Sequence, residues 1–201
     1  MMTRLVLASG NAGKLREFHQ LLAPLGVDVR PQSDFAVTEV EETGLTFVEN
    51  ALLKAREAAR VSGLPALADD SGLAVDALQG RPGIHSARFA GEPRDDGRNT
   101  RHLLEALAGV PDGKRTARYW CVLVLLRHAE DPVPLIVQCS WEGEILTAPR
   151  GERGFGYDPV FWIRELDMTA AELSAEEKNR RSHRGRALHA LSESLSAGSL
   201  A

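Results

Sequence analysis

Short apolar runs alternate with segments of helical period along almost the whole chain, and that alternation restricts the fold more than any other feature. Arg4 to Ala8 reads RLVLA, the pattern of a buried strand. A turn over Ser9 to Gly13 follows. Lys14 to Leu25 then reads as a helix, with apolar residues at Leu15, Phe18, Leu22 and Leu25. Gly26 supplies a left-handed stop, and Val27 to Val29 the next strand. Thr46 and Glu49 form a T-x-x-E capping box, which predicts a second helix running to about Ser62, before Gly63. Leu64 to Ala68 predicts a short strand ending at Asp69 and Asp70. A third helix is expected over Arg98 to Ala108. Arg118 to Arg127 and Pro134 to Glu142 read as long paired strands at the centre of the sheet. From Ser174 onward the chain is helical, with Gly185 as a point of interruption. The class is α/β.

At 201 residues the chain suits one α/β domain or two small lobes around a cleft. Apolar residues make up 43% and charged residues 26%, enough of each for a packed core and a solvated surface. No apolar run approaches the roughly 18 residues of a membrane span. The longest, Tyr119 to Leu126, suits a buried strand. The segment MMTRLVLASGN has too short an apolar stretch for a secretory leader. Cys121 and Cys139 both fall in predicted strands and read as small reduced core residues, which makes the cytoplasm the expected compartment. A net charge of −4 argues against a general nucleic-acid binder, though not against a basic pocket for one small anion.

Four segments carry chemistry. The first is Ser9-Gly10-Asn11-Ala12-Gly13-Lys14, between a strand and a helix. Its glycines let the backbone turn tightly, and the helix aims free N–H groups and the positive end of its dipole at the turn. With Lys14, Ser9 and Asn11, these parts suit a phosphate cradle. They suit an ordinary turn with a solvated lysine equally well, and the spacing is not that of a Walker A loop. The second segment is acidic: Glu41 and Glu42, then Asp69-Asp70-Ser71-Gly72. Mg²⁺ takes one or two carboxylates together with water and phosphate oxygens, and a carboxylate can also accept a proton from attacking water. Adjacent residues of a strand point to opposite faces, so one aspartate is expected to act and the other to support. A plain turn over Asp-Asp-Ser-Gly is the alternative.

The third segment is Gly154-Phe155-Gly156-Tyr157-Asp158-Pro159. An aromatic ring flanked by glycines can project and stack on a purine, a contact worth roughly 1–3 kcal/mol in nucleic-acid systems. Asp158 can accept from a base or a sugar. The alternative is a rigid loop that packs Phe155 and Tyr157 inward. The fourth runs from Lys178 to Arg186, with five basic residues and His183. A solvated basic helix face explains such a run. So does a reader of purine edges: Lys178 or Arg184 would pair with a 6-oxo acceptor and be left unpaired opposite an amino group.

Taken in order, SGNAGK, EETGLTF with ENALLKA, DDSGL, GFGYDP and SHRGRAL make the chain similar to the inosine triphosphate pyrophosphatase, or Ham1-like, family. The resemblance extends from Leu5 to about Leu191, and PGIHSARFAG and SWEGEI fit it too. It implies a long, twisted mixed sheet flanked by helices, with two lobes around a central cleft in one catalytic domain over residues 1–201. It implies a homodimer, Mg²⁺, and hydrolysis of non-canonical purine nucleoside triphosphates to the monophosphate and pyrophosphate, with no stable nucleic-acid or membrane partner.

Carried onto this sequence, the resemblance has Ser9, Gly10, Asn11, Ala12, Gly13 and Lys14 binding the triphosphate. Asp70 is proton acceptor and metal ligand, with Glu41 or Glu42 assisting the metal. Ser71 contacts substrate. Phe155, Gly156, Tyr157 and Asp158 hold base and sugar, and Lys178, His183 and Arg184 read the base. Lys54, one turn after Asn50 on the same helix face, reaches the phosphates or stays solvated. These segments are expected to converge on one polyphosphate tail. A Maf-like pyrophosphatase would carry serine and arginines in the first turn in place of Asn11 and Lys14. An RNA-binding module would use the basic run and release no pyrophosphate.

Overall fold

The computed structural model describes residues 3–196. Seven strands form one sheet: β1 (Thr3–Leu7), β2 (Val27–Pro31), β3 (Ala66–Val75), β4 (Thr116–Leu126), β5 (Leu135–Ile145), β6 (Phe161–Ile163) and β7 (Met168–Thr169), in the order β2-β1-β3-β4-β5-β6-β7. β1 lies parallel to both β2 and β3, while β5–β6 and β6–β7 are antiparallel, so the sheet is mixed. The helices are α1 (Ala12–Leu22), α2 (Phe47–Ser62), α3 (Asp96–Ala106), α4 (Ala175–Arg181) and α5 (His183–Ser196). The expected α/β class with a mixed, helix-flanked sheet is what the chain adopts.

The chain divides into two compact units. The first comprises Met1–Asp70, Cys121–Cys139 and Arg186–Ala201. Here the sheet is covered on both faces, which is why its strands are almost continuously apolar. On one face Leu5, Leu7, Leu67, Cys121, Leu123 and Leu125 pack with Phe18 and Leu22 of α1 and Leu188 and Leu191 of α5. On the other, Val6, Ala66, Ala68, Val122, Val124 and Leu126 meet a stripe of alanines on α2: Ala51, Ala55, Ala58 and Ala59. Those small side chains, at helical spacing, let α2 approach the sheet closely. Thr46 caps α2, its hydroxyl accepting from the Glu49 N–H at 3.3 Å, while Glu49 reaches back to the Leu45 N–H at 2.9 Å. Gly63, at φ 67°, ends the helix.

The second unit comprises Ser71–Trp120 and Ser140–Gly185. Its core gathers Leu73, Val75, Leu103, Leu107, Tyr119, Trp141, Ile145, Tyr157, Val160 and Phe161.

Two expectations need correcting. The strand predicted over Leu64 to Ala68 is the ten-residue β3, so Asp69-Asp70-Ser71-Gly72 lies within a strand and forms neither a turn nor a strand end. The apolar residues Leu73 and Val75 continue the same strand. In the C-terminal helical stretch the break falls at Ser182, at φ −66° and ψ 160°, three residues before Gly185. Gly185 permits the break: a Cβ there would collide with the Asn179 carbonyl oxygen. Cys121 and Cys139 lie in β4 and β5, and neither forms a disulfide.

Candidate active site

In the first unit β3 divides its two aspartates between the faces of the sheet. Leu67 and Asp69 share the α1 face; Ala66, Ala68 and Asp70 share the α2 face. Asp69, almost fully buried, pairs with Lys14 Nζ at 2.7 Å. Lys14 is therefore not a solvated turn lysine; it brings a cation from beyond the end of β1 to the interior of β3. On the other face, Lys54 Nζ donates to Asp70 Oδ1 at 3.0 Å and to Glu42 Oε1 at 2.8 Å. One ammonium thus ties two carboxylates together. The other Asp70 oxygen, Oδ2, is buried with no protein partner.

Burial pushes the Asp70 carboxyl up, the Lys54 ammonium pulls it part of the way back, and Glu42 and Asp69 add to the rise. For Lys54 burial acts to lower the pKa, but Asp70 and Glu42 outweigh it and the ammonium is held above its ordinary value.

The loop leading to α2 presents Glu42. Gly44 donates to Asn50 Oδ1 at 2.8 Å. A Cβ on Gly44 would lie 2.6 Å from Glu49 Cβ, so only glycine lets this loop lie so close against the helix. Glu41, the other candidate from sequence, is exposed. Among the described residues no group of three histidine, cysteine, aspartate or glutamate side chains is arranged to hold a metal ion. Asp70 with Glu42 nonetheless matches the sparse requirement of Mg²⁺, which keeps most of its water and takes one or two carboxylates. The partnerless Oδ2 is the oxygen such an ion would use.

The Ser9–Lys14 turn is built differently from a cradle lined by side chains. Asn11 Oδ1 accepts from the N–H groups of Gly13 at 2.8 Å and Lys14 at 3.2 Å, capping α1. Ser9 Oγ accepts from the Asn11 N–H at 3.2 Å. Both polar side chains shape the turn, so its charge comes from Lys14, paired with Asp69, and from the end of the α1 dipole.

In the second unit Gly154 (φ 80°) and Gly156 (φ 60°) set the aromatic loop. Each ring obeys one of the two sequence readings: Phe155 projects, 55% exposed, while Tyr157 is buried and donates to the Ser86 carbonyl at 2.7 Å. Lys178 Nζ lies 4.7 Å above the Phe155 ring and is ion-paired with Asp158. Asp158 is itself buried and also accepts from the Phe155 N–H at 2.8 Å, so it anchors the loop and Lys178 together.

His183, buried at the start of α5, stacks on Tyr119 with centroids 4.8 Å apart. Arg184 donates to Ser71 Oγ at 3.3 Å. The basic run therefore splits: Arg180 and Arg181 pair with Glu177 as a solvated helix face, whereas Lys178, His183 and Arg184 turn inward.

The family model described as the Ham1 family matches residues 5–194. The chain belongs to the Ham1 family. A dITP/XTP pyrophosphatase of Thioalkalivibrio sulfidiphilus is 60% identical over 192 residues, covering 96% of this chain and 98% of the relative. The dITP/XTP pyrophosphatase of Escherichia coli K12 is 56% identical over 197 residues, 98% of this chain and all of the relative. The solved HAM1 protein of Coxiella burnetii superposes with a TM-score of 0.95 at 50% identity, covering 98% of this chain and 100% of that one.

In this Ham1-family chain several structural supports escaped the sequence reading. Asp96 Oδ2 accepts from the Gly156 N–H at 2.9 Å and Thr100 Oγ1 donates to the Gly156 carbonyl at 3.1 Å, clamping the aromatic loop from α3. Asn99 holds the Ala87–Ala90 segment, donating to Ala87 O at 2.9 Å and accepting from Ala90 N at 2.7 Å. A signal was present: Asn99 and Thr100 occupy buried positions of α3, where an apolar residue would serve packing alone. From the sequence Tyr119 reads only as part of an apolar strand.

Proposed function

We propose that this chain hydrolyses non-canonical purine nucleoside triphosphates, of the dITP and XTP class, to the monophosphate and pyrophosphate, and so cleanses the nucleotide pool of bases that would otherwise enter DNA and RNA. The observation that carries the reading is Asp70: a buried carboxylate with a raised pKa, one oxygen on Lys54 and the other bare. The names and near-complete coverage of the relatives supply the substrate class.

In this reading Lys14, Lys54 and the amide end of α1 neutralise the polyphosphate. Asp70 and Glu42 would hold Mg²⁺, with Glu41 solvated beside them. When bound, the ion adds charge neutralisation on the phosphate oxygens. Asp70 orients the attacking water and takes its proton, while Lys54 keeps the carboxylate ionised. Phe155 offers its exposed face to the base, with Gly156 and Tyr157 shaping the loop behind it. Asp158 holds Lys178. Lys178, His183 and Arg184 present donors to a 6-oxo group, and an adenine amino group would leave them unpaired. Ser71, bonded to Arg184, follows Asp70 directly in the sequence of β3. The enzyme acts as a homodimer in the cytoplasm and without a nucleic-acid partner.

Purified protein with Mg²⁺ and the triphosphates of inosine, xanthosine, adenosine and guanosine tests the proposal, with pyrophosphate and orthophosphate detected separately. Pyrophosphate release preferring inosine and xanthosine is expected. Equal rates on all four, or orthophosphate as the product, would refute it.

A further inference from the structure

We infer that Tyr119, a strand residue in the middle of the second unit, is the positioning residue that couples the two halves of the base reader; the inference rests on the function proposed above. Its surroundings are unusual for a core tyrosine. One face of the ring carries the His183 imidazole, nearly parallel at 12° with centroids 4.8 Å apart. Its hydroxyl donates to Asp158 Oδ1 at 3.4 Å. Asp158 in turn holds Lys178, and Lys178 lies over Phe155. A single side chain thus touches both His183 and the carboxylate that aims Lys178.

Packing keeps it there. Phe161 lies 4.6 Å from the Tyr119 ring, tilted, and Trp141 stacks at 6.5 Å. The tyrosine is 8% exposed and cannot swing into solvent without opening this aromatic cluster. Burial, with the nearby Asp158 carboxylate next, holds the phenol far above its usual pKa, so the hydroxyl remains a donor across any assay pH.

The ring and the hydroxyl are assigned separate tasks. The hydroxyl fixes the rotamer of Asp158 and hence of Lys178. The ring fixes the plane of His183. Neither task requires Tyr119 to touch the substrate.

The test uses Tyr119→Phe and Tyr119→Leu in the full chain, with wild type and Arg184→Ala alongside. In Tyr119→Phe the KM for inosine triphosphate rises about 3- to 10-fold, the scale of one internal hydrogen bond. Its kcat is unchanged, its KM for adenosine triphosphate does not move, and the melting temperature stays near wild type. In Tyr119→Leu the preference for the 6-oxo base falls further. The ring proton resonances of His183 lose the displacement that a stacked neighbour imposes, while in Tyr119→Phe they keep it.

Wild-type KM and preference in Tyr119→Phe, with Tyr119→Leu losing only thermal stability, would overturn the inference and leave the base reader intact if Arg184→Ala still erases the preference. A wild type without any preference would overturn both. Should Tyr119→Leu fail to fold, the Tyr119→Phe kinetics decide alone.

Discussion

Asp69 and Asp70 are neighbours in sequence, yet the pleat of β3 gives them different partners and different work. Asp69 sits against Lys14 on the α1 face, nearly dry and fully occupied by its cation. Asp70 keeps a bare oxygen on the α2 face. On the function proposed above, the chemistry falls to Asp70 and the support to Asp69. Asp70→Asn should lower kcat about 10²–10⁴-fold, the usual worth of a general base, while substrate binding measured separately stays within a few-fold of wild type. Near-normal turnover would remove Asp70 from the chemistry. Asp69→Asn should behave differently: it leaves Lys14 without a counter-charge, so KM is expected to change more than kcat, and the two variants measured side by side separate the roles.

At the scale of elements, small residues and buried polar groups hold the site segments in place. Gly185 allows α4 and α5 to meet at Ser182, and Gly185→Ala forces its Cβ onto the Asn179 carbonyl. The junction carries Lys178 on one side and His183 and Arg184 on the other, so this variant should lose base preference along with stability. Retention of full preference would show that the junction tolerates the shift.

The loop between β4 and β5 shows a second device. Asp131, 1% exposed, accepts from Arg127 Nη2 at 2.7 Å, from the Arg127 N–H at 2.9 Å and from the Val133 N–H at 3.0 Å. The Arg127 guanidinium, aided by the backbone N–H groups, holds its pKa well below the ordinary carboxylate range, despite the opposing effect of burial. Because the folded pKa is depressed, the stabilisation is present above the unfolded value of about 3.9 and is lost as pH falls through the acid range. Asp131→Asn should therefore cost about 1–3 kcal/mol near pH 7, and the gap to wild type should narrow towards pH 2. Parallel urea melts at the two pH values measure this. A gap independent of pH would mean that shape, and not charge, is what the turn requires.

For the whole molecule, the proposed homodimer makes the simplest prediction. Light scattering should give a mass about twice the 21.9 kDa of one chain. A monomeric mass at assay concentration, with activity intact, would dissociate dimerisation from catalysis. Much at this scale was legible beforehand. The apolar runs of β1 and β4 and the period of α1 and α2 declare an α/β sheet, because burial on both faces demands continuous apolarity and helices demand a stripe. The cap at Thr46 and the stops at Gly26 and Gly63 follow from backbone groups that must be satisfied locally, whereas Asn11, expected as a phosphate ligand, caps α1 instead. The strands β6 and β7, three and two residues long, were not legible: so short a segment has no period, and pairing, of β6 with β5 and of β7 with β6, supplies its order.

Local chemistry is what the sequence by itself determined: which segments are strands or helices, which carry phosphate-friendly turns and carboxylates, and the ordered motifs that mark the Ham1 family. Tertiary structure alone decided the pairings. Lys14 meets Asp69 across 55 positions, Arg184 meets Ser71 across 113, and Asp96 reaches Gly156 across 60. No local spacing encodes such contacts. They follow from the register in which β3 continues past Asp70 and from the way buried charges must find opposite charges once water is excluded. That exclusion also selects Glu42 over Glu41 as the partner of Lys54, a choice two adjacent glutamates cannot express until the loop is folded against α2.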